Sequence, residues 1–123
     1  MVNFVAGTTL SAAALNTAFN TLTINTQTGS AYTLSLSDAG GLITMSNAAS
    51  QTITIPANAS VALPIGSQVG FLQLGAGQVS FAGAAGVTVV ALQSATKLIG
   101  LGALGVAVKV GTNTWHLAGG VTP

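Results

Sequence analysis

Charge is nearly absent from this chain. Asp38 is its only carboxylate side chain, Lys97 and Lys109 are its only basic ones, and His116 is its single histidine. Ordinary domains are about 25% charged, whereas this one is 2% charged. The shortage excludes much chemistry. Two carboxylates cannot flank a glycosidic bond where only one exists. A nucleophile, a base and an orienting acid would have to be drawn from His116 and Asp38 with a Ser or Thr. No G-x-S-x-G elbow accompanies them. Zinc and calcium sites need several N, S or O ligands, and Asp38 and His116 are the only candidates. The sequence therefore predicts a protein that is not an enzyme and needs no metal or cofactor.

Other absences narrow the field further. There is no cysteine, so there is neither a disulfide framework nor thiolate chemistry. There is no arginine and the net charge is +1. That leaves no clustered basic surface for nucleic acid, and none is expected as a partner. Long apolar runs are missing too. The longest stretch without a polar side chain is Leu98 to Val108, and three glycines break it. A spanning helix needs about 20 apolar residues. A membrane barrel needs roughly eight strands of about ten residues, more than fit here. The opening MVNFVAGTT has no positive region and does not read as a signal peptide. A soluble chain with no membrane partner is the expectation, its surface supplied by 39 Ser, Thr, Asn and Gln residues.

Glycine, by contrast, is abundant, with 16 in 123 residues. Gly100 to Gly105 reads GLGALG, which matches the G-x-G-x-x-G spacing of dinucleotide-binding turns. That motif requires a helix after it and an acidic residue about 20 positions on. The residues that follow, Val106 to Val110, suit a strand, and no acid lies downstream. The glycines instead predict tight β-connections, where positive φ or close backbone approach is required.

The chain divides at residue 22. Residues 1–22 predict a short helical segment. Ser11 suits an N-cap, Leu10 and Leu15 sit where a hydrophobic staple would, and Leu15, Phe19 and Leu22 share one face. Such a helix is marginal alone and must dock, either on its own domain or on another protein. Residues 23–123 switch to period two. Tyr32, Leu34 and Leu36 alternate against Thr33, Ser35 and Ser37. Ile43 pairs in parity with Met45, Ile53 with Ile55, Val69 with Phe71 and Gln73, and Val79 with Phe81. Val87 shares a face with Val89, and Trp115 with Leu117. In VAVKV, Val106, Val108 and Val110 form the apolar face, with Lys109 turned outward. Gly, Asn, Pro and Ser clusters separate these runs. The pattern predicts an all-β fold, an antiparallel β-sandwich or jelly-roll-like domain behind the short N-terminal helix. Its strands have almost no charge with which to guard their edges, so a closed homo-oligomer is expected.

The singled-out side chains have plain structural readings. Asp38, in SDAGG, should accept backbone N–H groups in a turn. Trp115 should be core, with sugar stacking as the alternative. His116, Lys97 and Lys109 should face solvent.

Taken together, several stretches resemble a β domain of tailed-bacteriophage structural proteins. They are YTL…DAGGLITMSNA, IPANAS, PIGS, GAGQV and TNTWHLAG, with FVAGTTLSAAALNTAFNTL ahead of them, and they cover nearly the whole chain. Members of that group carry more charge and usually run longer. The resemblance implies a virion structural protein: a homotrimeric capsid decoration or head-fibre protein on the particle surface. It would be bound to itself and to the major capsid protein or another virion protein. Phe4, Val5, Leu10, Leu15, Phe19 and Leu22 would form the anchor or oligomer interface. The alternative it implies is a tail-fibre head that binds a host glycan, with Tyr32 and Trp115 as contacts.

Overall fold

A computed structural model describes residues 21–123. Its strands are β1 (Ile24–Gln27), β2 (Ala31–Thr33), β3 (Leu42–Met45), β4 (Gln51–Ile55), β5 (Gln68–Gln73) and β6 (Val79–Gly83). They continue as β7 (Thr88–Ala91), β8 (Lys97–Leu98), β9 (Leu104–Gly111), β10 (Thr114–Gly119) and β11 (Val121–Thr122). The only helical pieces among the described residues are single 3₁₀ turns at Leu36–Asp38 and Leu92–Ser94. The fold is all-β, as the period-two pattern predicts. The helix expected before residue 23 lies almost wholly outside the described residues, and Thr21 and Leu22 are not helical.

Two sheets enclose one core. A six-stranded sheet runs β1-β3-β5-β9-β10-β7, and a five-stranded sheet runs β11-β8-β6-β4-β2. The first six strands alternate between the sheets. Ile24 therefore stands beside Leu42 and Leu42 beside Gly70, while Tyr32 stands beside Ile53 and Ile53 beside Phe81. All four of these pairings are parallel, and so is β7 with β10. The expectation of an antiparallel domain is thus corrected: both sheets are mixed. Parallel neighbours need a crossover, and here the strand in the opposite sheet supplies it, so the chain winds in three stacked turns. The winding stops where β9 returns antiparallel along β5 and makes a hairpin with β10.

Alternation decides what fills the space between the sheets. Ile43, Phe71, Val69, Ile53, Ile55, Val79, Phe81, Trp115 and Leu117 all point inward and are buried. Phe71 of one sheet meets Phe81 of the other edge-on, with ring centroids 4.8 Å apart. Aromatic pairs of this geometry add about 0.5–1.5 kcal/mol beyond their buried area. One expected run fails. Leu36 does not continue the Tyr32–Leu34 face, because the chain leaves β2 and enters the 3₁₀ turn, which leaves Leu36 51% exposed.

Uncharged amides hold the successive turns of the chain together. Asn47 Nδ2 donates to Thr28 O at 3.0 Å, its Oδ1 accepts from Ala49 N at 2.9 Å, and its backbone carbonyl accepts from Gly77 N at 2.8 Å. Gln51 Nε2 donates to Gly29 O at 2.7 Å, and buried Gln73 accepts from Val79 N. The Asn47 and Gln73 side chains each donate and accept at once, which amides can do and ions cannot, whereas Gln51 Oε1 is buried without a partner. Gly75 and Gly77 lie directly on the Asn47–Ala49 backbone, leaving no room for a Cβ.

Candidate functional site

The chemistry-bearing side chains are scattered. Asp38 is buried at the 3₁₀ turn, where its Oδ2 accepts from Ser35 N at 2.8 Å and from Tyr32 Oη at 2.6 Å. Its Oδ1 accepts from Asn25 Nδ2 at 3.0 Å, and the same Nδ2 donates to Tyr32 Oη at 2.8 Å. This cluster ties β1, β2 and the turn together. It is the backbone-capping role expected of Asp38, extended by two side chains. His116 is exposed on β10 and is not among Asp38's partners. No set of three or more metal-ligating His, Cys, Asp or Glu side chains is gathered among the described residues.

The expected glycan contacts have little to offer a sugar. Trp115 is 1% exposed in the core, so the stacking alternative is corrected and the core reading holds. Tyr32 is half-buried and its hydroxyl is committed to Asp38. Burial, reinforced by the hydrogen bond to Asp38 and by its charge, pushes the Tyr32 phenol above its usual value of 10.0. The folded state therefore keeps a proton that the unfolded state releases near pH 10. Stability should fall as pH rises past 10, until the folded phenol titrates as well. Urea midpoints measured from pH 8 to beyond 10 should show this decline. In Tyr32→Phe it should be shallower, and an identical slope would contradict the assignment.

Lys109 is the largest departure. The expectation of an outward, solvated lysine is corrected: the side chain is 2% exposed and points into the core. Its Nζ donates to Asn58 Oδ1 at 2.7 Å and to Leu63 O at 2.6 Å. Asn58 N in turn donates to Asn113 Oδ1 at 2.9 Å, so the lysine pins the 57–63 loop beneath the β9–β10 hairpin. Lys97 is exposed, as expected.

Inverting β9 turns its valines outward. Val106, Val108 and Val110 join Ile24, Leu42, Leu72, Leu104 and Val90 on the outer face of the six-stranded sheet. Ile24, Leu104 and Val110 are each at least half exposed. No charged side chain stands on this face, and His116 is its one titratable group. At its β1–β3–β5–β9 end the face dips into a groove of about 780 Å³. Leu22, Leu42, Leu104 and Val106 line its walls, and Gly41 and Gly70 lie along its floor. Polar lining comes chiefly from Ser67 and Gln68. Of the six residues expected to form an anchor or interface, Leu22 is placed here, 59% exposed. Phe4, Val5, Leu10, Leu15 and Phe19 lie outside the described residues.

Comparison with protein families, curated proteins and solved structures finds no match. The outer face of the six-stranded sheet is thus an exposed, largely apolar surface that carries no charged side chain.

Proposed function

We propose that this protein is a non-catalytic structural component of a tailed-phage particle, a capsid decoration or head-fibre protein. It is a homotrimer of two-sheet sandwich domains on the particle surface. The six-stranded sheet packs its outer face against copies of the chain or against the major capsid protein. Residues 1–22 contribute the anchor. The observation that carries this reading is the outer sheet face, with Leu104 56%, Val110 50% and Val90 38% exposed and no charge among them. Exposed apolar surface of this kind marks an interaction site and is a liability for a lone monomer. The phage assignment itself comes from the sequence resemblance. The burial of Trp115 and the commitment of Tyr32 weigh against the glycan-binding alternative.

Sedimentation equilibrium tests the contact surface. The wild-type chain should sediment as a discrete oligomer, with three copies expected. Val90→Lys combined with Val110→Lys places two charges on the face, away from the groove. That variant should sediment as a monomer with a single cooperative urea transition, its midpoint lowered only by the loss of assembly, because both positions are exposed strand residues of the lone domain. A variant that assembles as well as the wild type would remove this face from the reading.

A further inference from the structure

The most exposed large apolar side chain among the described residues stands on a strained turn. Leu92 is 84% exposed, just past the end of β7. The two residues after it, Gln93 and Ser94, have φ of 54° and 58°. The five other described positions with positive φ are all glycines, the residue that adopts this conformation without steric cost. Strain of this kind persists only where the surrounding structure holds it, and it clusters at functional sites. Here Ala95 holds the turn: it is buried, and its N–H donates to Leu92 O at 3.1 Å. Ala91 is extended, so Leu92 keeps the outward parity of Val90 and prolongs the outer face of the six-stranded sheet. The apolar groove of about 780 Å³ lies on that same face, over β3, β5 and β9. One face thus carries a knob beside its β7 edge and a hollow toward the other edge.

We propose that Leu92 of one copy seats in the groove of the next, so that the chain meets itself knob to hollow around a closed ring. This rests on reading the outer sheet face as the contact between copies, and it assigns which part of one face meets which part of the other. Contacts around a ring of three are heterologous: each copy must present two different patches that fit one another. The placement of Leu92 and the groove suits that arrangement, because each copy offers its β7 side to one neighbour and its β3–β5–β9 side to the other. The chemistry agrees. The groove has leucine and valine walls, glycine on its floor, and little polar lining beyond Ser67 and Gln68. Neither that lining nor the Leu92–Ala95 turn includes a charged side chain. A polar ligand needs several convergent polar groups to fix its orientation, whereas a leucine needs none. The turn is also held in place before contact, so little ordering remains to oppose docking.

The chain has no native cysteine, so single thiols report the pairing. Full-length Leu92→Cys and Leu104→Cys chains are mixed in equal amounts in urea, refolded together and oxidised, and the linked peptides are counted by mass spectrometry. Both positions are exposed, so neither substitution removes a core side chain. Random collision gives at most as many unlike links, 92–104, as like links, 92–92 and 104–104 together. Unlike links should instead exceed like ones by at least about tenfold, because docking holds the two thiols together. Adding Gly70→Leu to the Leu104→Cys chain should return the ratio toward one. A Cβ at Gly70 already comes within 3.0 Å of Leu42 Cδ1, so a larger side chain there fills the groove. Unlike links no commoner than like ones would overturn the proposal. Mainly 104–104 links would overturn it in favour of two grooves face to face, and a failure to form links would leave the groove to a different protein. The wider reading fails separately. If the Val90/Val110 variant dissociates while links are like with like, the outer face stands and the knob is removed; if that variant stays assembled, the face itself is removed.

Discussion

Replacing Lys109 with alanine should cost about 3–5 kcal/mol of stability, a large share of the 5–15 kcal/mol typical of a domain. Two effects add. The aliphatic stem is 2% exposed, so truncation leaves a cavity between β9 and the 57–63 loop. Asn58 Oδ1 and Leu63 O also lose their donor at 2.7 and 2.6 Å. A buried acceptor left unsatisfied costs about 1–3 kcal/mol. Lys109→Met separates these terms. It restores the stem but not the donor, so its urea midpoint should fall between those of the wild type and the alanine variant. A surface lysine would lose less than about 0.5 kcal/mol on the same truncation. A loss that small for Lys109→Ala would place Val106, Val108 and Val110 in the core and abolish the apolar outer face.

Gly77→Ala should be comparably damaging, for a reason of backbone contact. The added methyl would run into the carbonyl carbon and oxygen of Ala49, with Asn47 O also close. Both surfaces are main chain, held by Gly77 N donating to Asn47 O at 2.8 Å, so no side chain can swing aside. Overpacking usually costs about 1–3 kcal/mol. A clash between two backbones in adjacent turns of the fold should reach the top of that range or exceed it. Two other glycines calibrate the result. Gly40 has open space but φ of +75°, so alanine there should cost about 1 kcal/mol through conformation alone. Gly100, the first residue of GLGALG, has neither a neighbour within 4 Å nor a positive φ, so its alanine variant should be near neutral. Urea midpoints should rank the variants Gly100, Gly40 and Gly77 in order of increasing loss. A Gly77 variant as stable as the Gly100 variant would contradict the stacked-turn arrangement.

That ranking bears on what the sequence could reveal. Strand positions were readable wherever alternation was clean. Ile53 and Ile55, Val69 through Gln73, and Trp115 against His116 all face the way their parity predicts. Pairing partners were not readable. A run such as TITI has the same alternation beside a parallel or an antiparallel neighbour, so the winding of β1 to β6 left no mark in the pattern. The β9 inversion has a packing cause. Phe71, Trp115 and Leu117 on the flanking strands fill the space beside it, so the inward positions of β9 hold the small residues Gly105 and Ala107. A Cβ on Gly105 would already meet Leu98 Cδ2 at 3.0 Å. The bulky valines are left to the outside, against the usual rule that the more apolar parity is the buried one. Small residues at 105 and 107, in register with Lys109, were the available signal. The groove had no local signature. It exists only once Leu22, Leu42, Gly70 and Leu104 are brought together from four separate segments.

An exposed apolar face on a β domain with only three charged side chains suits a protein that works as part of a larger assembly. The direct measurement is the copy number of this chain in purified phage particles, by quantitative mass spectrometry against the major capsid protein. The account predicts a fixed simple ratio to the capsid lattice. A far lower number would move the protein to the tail and revive a receptor-binding role. Absence from the particles would contradict the virion assignment and leave an oligomeric β protein with a different partner for its outer sheet.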